Sequence, residues 1–165
     1  MNPQKPQLVR GGVLKCLFPF EENPDSPGPG PHYCLYVDSF EDEGKIFIVV
    51  AYGTSKMDRQ LQDAHCVLDV STELLSGSII EPSQGVIHFL CDHLAILPFD
   101  SDWVYLNFSA RLGIFKANHQ HDPARRNLYN KFCAAERVLN DSAISLARHY
   151  LATKKPGLKP GSTLR

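Results

Sequence analysis

A run of prolines and glycines near the start of the chain restricts the fold more than any other feature. Four of the twelve prolines lie in residues 23–31, which read Asn-Pro-Asp-Ser-Pro-Gly-Pro-Gly-Pro. Because proline lacks the backbone N–H donor and has a fixed φ, neither a helix nor a central strand can pass through this run. We therefore predict a surface loop, and loops of this kind in small domains are commonly functional or mobile.

Short apolar segments on both sides of this loop predict that the first two-thirds of the chain is rich in β-structure. β-Branched and aromatic residues bounded by turn residues suit the pleated surface of a sheet. The predicted strands are 13–18, 33–37, 45–52, 64–70, 86–89, 93–97 and, more weakly, 112–115. The second and third strands form a hairpin around Glu41-Asp42-Glu43-Gly44. This spacing is typical of a small barrel or a strongly curved sheet.

The last quarter of the chain predicts helices. Asp122-Pro123 is a helix start, because a capping carboxylate is followed by proline at the first position. Asn140-Asp141 indicates that a second helix begins there. The apolar residues at helical spacing are Leu128, Phe132, Ala135 and Leu139 in the first helix and Ile144, Ala147 and Leu151 in the second. We predict an α+β fold with a β-barrel domain over residues 1–118, a helical extension of that domain over 119–154 and a basic flexible tail over 155–165.

Composition is that of an ordinary globular protein. Hydrophobic residues make up 43% of the chain and charged residues 21%, which argues against global disorder. No apolar run approaches the roughly 20 residues that a membrane span requires. Residues 1–6 lack the apolar stretch of a secretory signal. We expect no membrane association and a cytoplasmic location.

The five cysteines are scattered and include no C-x-x-C pair. Reduced, buried cysteines behave as small hydrophobic residues, and this is the interpretation that we favour. The alternative is a zinc site built from His65-Cys66 and Cys91-Asp92-His93, but neither segment has a known ligand spacing. We predict no bound metal.

Charge is distributed unevenly along the chain. Residues 1–122 carry 8 Lys/Arg and 16 Asp/Glu, whereas residues 123–165 carry 9 Lys/Arg and 2 acidic residues. The basic end is therefore expected to meet an anionic partner. That partner is either a nucleic acid or the acidic part of the same chain.

Two segments contain residues suited to chemistry. In Tyr52-Gly53-Thr54-Ser55-Lys56, glycine allows close approach of a ligand to the backbone, and two hydroxyls and an ammonium group suit a phosphate or another oxyanion. The alternative is an ordinary turn in which Ser and Thr bond their own backbone. His32, beside the proline-rich loop, could act as a general acid or base near neutral pH, or simply lie at the surface.

The order of motifs over residues 10–115 carries a family resemblance. The first strand reads Gly-Val-Leu-Lys-Cys-Leu-Phe-Pro-Phe over residues 12–20, a proline and glycine loop follows, and a later strand ends in Tyr52-Gly53-Thr54-Ser55-Lys56. Residues 76–83, residues 93–99 and Arg111-Leu112-Gly113 add weaker similarity. In this order the chain resembles the PemK/MazF-like toxin family.

The resemblance implies a small SH3-like or CcdB-like β-barrel that forms a homodimer and binds an antitoxin-like protein. It also implies cleavage of single-stranded RNA without a metal or cofactor. In that family the 2′-hydroxyl attacks the adjacent phosphate. An arginine and a threonine or serine serve proton transfer and stabilise the charge of the phosphorane-like transition state.

Carried over to this chain, the hydroxyl role falls to Thr54 and Ser55. Where the family has arginine followed by proline, this chain has His32 followed by Tyr33, so His32 takes the proton-transfer role without the fixed charge of arginine. The residues that the resemblance places at the substrate are Lys56, Tyr52 and Gly53, and either Arg10, Arg59 or Arg111 would replace the missing cation.

Three functions remain open from the sequence. The first is a toxin-like endoribonuclease. The second is a catalytically inactive barrel of the same fold that binds a protein partner in a groove under residues 24–31. The third is a regulator that binds nucleic acid through the basic helical end without cutting it. Trp103, Tyr105 and Phe108 either belong to the core or form a stacking or dimer surface.

Overall fold

In the computed structural model, the chain is described over residues 8–20, 22–56, 64–78, 80, 84–116 and 121–158. Seven strands, one short 3₁₀ helix and one α-helix lie in these ranges. In chain order they are β1 (Gly12–Cys16), β2 (His32–Asp42), β3 (Lys45–Thr54), β4 (Val67–Ser71), the 3₁₀ helix Thr72–Leu74, β5 (Leu75–Gly77), β6 (Val86–Pro98), β7 (Ala110–Leu112) and α1 (Pro123–Thr153).

The strands form one antiparallel sheet in the order β4-β6-β3-β2-β1-β7-β5. Its two edge strands, β4 and β5, are consecutive in the chain and are separated only by Thr72–Leu74. A connection of three residues cannot span a flat sheet of seven strands, since neighbouring strands lie about 4.8 Å apart. The sheet must therefore curl until its edges approach each other. The α+β class is confirmed, and the open, curled sheet is consistent with a small barrel-like fold.

The predicted hairpin between β2 and β3 is confirmed. Asp42 pairs with Lys45, and the two residues between them, Glu43 and Gly44, have φ values of 53° and 79°. Two successive left-handed residues are the geometry of a tight two-residue hairpin turn, whose twist matches that of the flanking strands. The acidic run therefore lies at one end of the hairpin, and the ends His32 and Thr54 lie at the other.

From Phe47 onwards, strand β3 is buried on both faces, and its side chains alternate between two hydrophobic clusters. Phe47, Val49 and Ala51 belong to the cluster that includes α1. Ile48, Val50 and Tyr52 belong to the cluster on the opposite face. Side chains alternate between faces along a strand, so a continuous apolar run is what a doubly covered strand requires.

One long strand replaces two that the sequence predicts. Residues 86–89 and 93–97 belong to a single 13-residue strand, β6. Its pairing with β3 shifts between Ala51 and Gly53. A bulge of this kind absorbs extra residues without ending the strand. Asp92, which lies between the two predicted strands, is inside β6, and its carboxylate accepts a hydrogen bond from the His65 N–H at 3.1 Å.

The predicted start of the helical region is confirmed, but the prediction of two helices is wrong. The Asp122 carboxylate accepts from the Ala124 N–H at 3.0 Å, Pro123 follows the cap, and one helix runs to Thr153. Asn140 and Asp141 are exposed within it and do not start a new helix. The stripe that packs on the sheet is Leu128, Phe132, Ala135, Leu139, Ala143, Leu146 and Tyr150. Ile144 and Leu151 lie outside it and are 52% and 62% exposed.

The C-terminal end of α1 is attached to the acidic hairpin. Asp42 accepts a hydrogen bond from the Tyr150 hydroxyl at 3.1 Å and pairs with the Lys154 ammonium at 2.9 Å. The hydrogen bond from Lys154, followed by that from Tyr150, holds the pKa of Asp42 below its ordinary value. At this point the basic end of the chain meets its own acidic part, which is one of the two alternatives left by the sequence.

Stability at alkaline pH should report on this attachment. Burial, and then the hydrogen bond to Asp42, raises the pKa of Tyr150 to about 12 from an ordinary value of 10.0. Because the folded-state pKa is the higher one, the stabilisation is complete below about pH 10 and is lost as the pH rises through about 12. We expect Tyr150→Phe to cost about 1 kcal/mol of unfolding free energy at pH 8. The difference from wild type should shrink above pH 10.

Urea unfolding of both proteins between pH 7 and 12 measures this difference. Tyr129→Phe is the matched control, because Tyr129 is 38% exposed on the same helix. A constant difference between wild type and Tyr150→Phe across the range would contradict the assignment.

The chain after α1 packs along the outer edge of β6. Gly157 forms a bridge with Ile96. The next residue, Leu158, is 5% exposed, and its N–H donates to the Pro24 carbonyl at 2.6 Å. The residues after the helix are therefore held by the sheet and by the proline-rich loop as far as Leu158, within the segment that the sequence assigns to a flexible tail. Covering an exposed strand edge is a structural function of this segment.

No helix in the ranges that the structure describes is both long and apolar enough to cross a membrane.

Candidate functional site

A cavity of about 690 Å³ opens where β2 begins and β3 ends. The hairpin register brings these two strand ends together. Among its lining residues are five of the predicted site residues, namely His32, Gly53, Thr54, Ser55 and Lys56. Residues separated by more than twenty positions in the sequence thus share one concave surface.

Thr54 forms the turn that ends β3. Its hydroxyl accepts a hydrogen bond from the Lys56 N–H at 3.1 Å and donates to the Lys56 carbonyl at 3.3 Å. Thr54 is 7% exposed, whereas Ser55 and Lys56 are exposed. The Thr54 hydroxyl therefore bonds the backbone of a strand-ending turn, which is the alternative that the sequence left open. The same turn presents Ser55 and Lys56 at the cavity.

Gly53 is required by the packing of strands. A Cβ at this position would lie 2.0 Å from the Tyr33 carbonyl oxygen and 2.9 Å from the Phe89 ring. The sequence predicts that a ligand approaches Gly53 closely, but in the structure it is the backbone of β2 that does so.

His32 lies at the start of β2 and is half-buried. Its ring centroid is 4.9 Å from that of Tyr52, which is 6% exposed and also contacts the Phe18 ring at 5.1 Å. Tyr52 therefore packs behind His32 in the core and is not among the residues that line the cavity. This contact limits the orientations that the imidazole can take.

Cys16 is the ladder partner of His32, so a Cys–His pair is present at this strand end. The thiol is fully buried, and burial raises its pKa well above the ordinary value. A protonated thiol is a weak nucleophile. Cys16 therefore belongs to the core, in agreement with the interpretation of the cysteines as small hydrophobic residues.

The arginines considered for the missing cation do not line the cavity in the described chain. The Arg10 Nε donates to Glu136 on α1 at 2.7 Å, and its guanidinium lies 5.3 Å from the Phe132 ring centroid. Arg111 stacks on Phe115, at 4.3 Å from its ring centroid. Arg59 lies outside the described residues.

Lys15 supplies the cationic group that sequence reasoning missed. It lies in β1, opposite Tyr33 of β2, and lines the cavity. The available signal was a single lysine in an otherwise apolar strand, on the same face as Val13. Thr72, whose hydroxyl donates to the Gly85 carbonyl at 3.3 Å, also lines the cavity.

The electrostatics of the cavity favour an anion. Lys15, Lys56 and His32 contribute the ionisable groups besides the Tyr33 phenol, and none of the described lining residues is a carboxylate. The acidic turn at Glu43 lies at the opposite end of the hairpin, roughly 30 Å away along the strand. Among the described residues, the acidic hairpin turn therefore does not contribute negative charge to this cavity.

A histidine–carboxylate pair lies next to Thr54 in the sheet. His88 is the ladder partner of both Thr54 and Asp69, and its Nδ1 is 2.6 Å from the Asp69 Oδ1. The carboxylate favours the tautomer with hydrogen on Nδ1. The three residues come from three strands, so no sequence motif could have identified the row.

No group of three or more His, Cys, Asp or Glu side chains that could hold a metal ion occurs in the described ranges. Comparisons with family models, curated proteins and solved structures gave no match to this chain.

Proposed function

We propose that the protein is a metal-independent endoribonuclease that cleaves single-stranded RNA at the cavity between the ends of β2 and β3. One observation supports this most strongly. The cavity gathers His32, Ser55, Lys56 and Lys15, and its described lining contains no carboxylate. A phosphodiester backbone needs such cationic and hydrogen-bonding groups around the phosphate.

The reaction that fits these groups is internal transfer. The RNA 2′-oxygen forms a bond to the adjacent phosphorus, and the bond from phosphorus to the 5′-oxygen breaks. The products are a 2′,3′-cyclic phosphate and a 5′-hydroxyl. His32 moves a proton from the 2′-oxygen to the 5′-oxygen, and Lys15, Lys56 and the Ser55 hydroxyl stabilise the negative charge that develops on the non-bridging phosphate oxygens. Thr54 acts by holding the turn that orients Ser55 and Lys56.

The fold belongs to the same proposal. A curled antiparallel sheet with a 3₁₀ turn between consecutive edge strands is compatible with an SH3-like barrel of the PemK/MazF-like type. The cavity lies at the strand ends that carry the motifs on which the resemblance rests.

Cleavage of a long single-stranded RNA by the purified protein in EDTA tests the proposal. We expect cutting that survives the chelator and leaves 2′,3′-cyclic phosphate ends. Lys15→Gln and Lys56→Gln should each slow cleavage by about tenfold or more, because each removes a charge that stabilises the transition state. Lys131→Gln, on the exposed side of α1, is the matched control. Absence of cutting by folded, monodisperse wild type would overturn the proposal.

The alternative is a catalytically inactive barrel that binds a protein, such as an antitoxin-like partner or a second copy of this chain. The groove that the sequence predicts under residues 24–31 does not support this alternative, because Leu158 packs against that loop. A second groove, of about 490 Å³ between β2 and α1, is lined by Phe40, Ile144 and Leu151. Sedimentation of wild type and Ile144→Asp tests this surface, since a dimer formed there would dissociate in the variant.

A further inference from the structure

The cationic side of the cavity continues onto an exposed aromatic ring. Within the ladder, Lys15 lies opposite Tyr33, which lines the cavity. On its other side, the Lys15 Nζ lies 5.0 Å from the ring centroid of Tyr105. Tyr33, Lys15 and Tyr105 therefore form a row that leads from the cavity to the surface.

The backbone holds Tyr105 firmly in this position. Its N–H donates to the Lys15 carbonyl at 2.8 Å, and the Leu17 N–H donates to the Trp103 carbonyl at 2.8 Å. Trp103 and Val104 are 7% and 1% exposed, so they anchor the segment in the core. Tyr105 itself is 38% exposed. A large aromatic ring is thus presented to solvent by a segment fixed along the edge of β1.

We propose that Tyr105 is a stacking subsite for an unpaired nucleobase whose neighbouring phosphate binds Lys15. The proposal rests on the proposed function and extends it to the recognition of substrate. Aromatic rings beside a cationic groove are the usual means of holding single strands without reading their sequence, because every base has a π-face.

Lys15 makes the subsite responsive to phosphate. A cation above an exposed tyrosine ring is held weakly, whereas a hydrogen bond between an ammonium and a phosphate oxygen is strengthened by both charges. When a phosphate enters the cavity, the flexible Lys15 stem carries its ammonium towards that phosphate. The ring face that Lys15 leaves then accepts the base.

Binding without turnover isolates this step. A fluorescently labelled single-stranded DNA oligonucleotide lacks the 2′-hydroxyl and cannot be cleaved by internal transfer, so its anisotropy reports affinity alone. We expect Tyr105→Ala to weaken binding by about 5- to 100-fold. Tyr105→Phe keeps the ring and should bind like wild type. Tyr129→Ala is the matched control, because Tyr129 is also 38% exposed but lies on α1.

An abasic series locates the base. Each oligonucleotide of the series lacks one base. At one position, removal of the base should weaken binding to wild type as much as Tyr105→Ala weakens binding to the intact oligonucleotide. Removing the same base should cost Tyr105→Ala nothing further. If Tyr105→Ala does not fold, Tyr105→Leu removes the π-face and keeps an apolar side chain.

Cleavage of RNA, measured in parallel, separates the two proposals. Wild type that cleaves while Tyr105→Ala binds as tightly as wild type would overturn the stacking subsite and leave the nuclease. Wild type that binds in a Tyr105-dependent manner without cleaving would keep the subsite and overturn the nuclease. Wild type that neither binds nor cleaves would overturn both.

Discussion

Gly53→Ala is expected to destabilise the protein by about 3 kcal/mol, the largest loss of stability that we predict for a single added methyl group. The added Cβ would meet the Tyr33 carbonyl oxygen at 2.0 Å and the Phe89 ring at 2.9 Å. The carbonyl belongs to a strand backbone and cannot rotate away, so β2 and β3 must separate where the cavity forms. Cleavage should be lost together with stability.

Urea unfolding followed by circular dichroism measures this loss. Gly30→Ala is the control, because a Cβ at Gly30 would meet nothing within 4 Å. Its unfolding free energy should stay within about 0.5 kcal/mol of wild type. Equal unfolding midpoints for Gly53→Ala and Gly30→Ala would show that β2 and β3 do not approach as closely as the structure has them.

His32→Ala is expected to lower the rate of RNA cleavage by about 100- to 10,000-fold, the range over which a positioned acid or base accelerates a reaction. The side chain is half-buried at the cavity, and its ring packs on Tyr52. Affinity for the single-stranded DNA oligonucleotide should change little, since Lys15 and Lys56 remain. The loss should therefore appear in the rate and not in binding.

Single-turnover cleavage at saturating protein measures the rate directly. His65→Ala, which removes an exposed imidazole from the bend before β4, is the control. A His32→Ala rate within about threefold of wild type would remove His32 from the chemistry. In that case the His88–Asp69 pair beside Thr54 would become the next candidate for proton transfer.

Local patterns predicted those parts of the fold that neighbouring residues control. The hairpin at Glu43 and Gly44 and the helix cap at Asp122 both depend on backbone preferences and hydrogen bonds within a few residues. Runs of apolar residues also predicted strands at the positions of β1, β2 and β3. In each case the stabilising interaction is short-range and involves residues that are close together in the sequence.

Predictions from the sequence were wrong where contacts between distant residues determine the secondary structure. The sequence suggests a new helix at Asn140-Asp141, but packing of Ala143, Leu146 and Tyr150 on the sheet continues the first one. Similarly, residues 86–89 and 93–97 predict two short strands, yet pairing with β3 across a bulge makes them one continuous strand, β6. Propensity is a weak preference, and burial of apolar area overrides it.

The candidate site shows the same division. The sequence by itself singled out His32 and the segment from Gly53 to Lys56, because their residue types suit phosphate chemistry. Only the tertiary structure placed Lys15 beside them, turned Arg10 towards Glu136 and aligned Tyr105 with Lys15. Residue types determine which chemistry is available, but the register between strands determines which groups meet, and register depends on contacts between residues far apart in the chain.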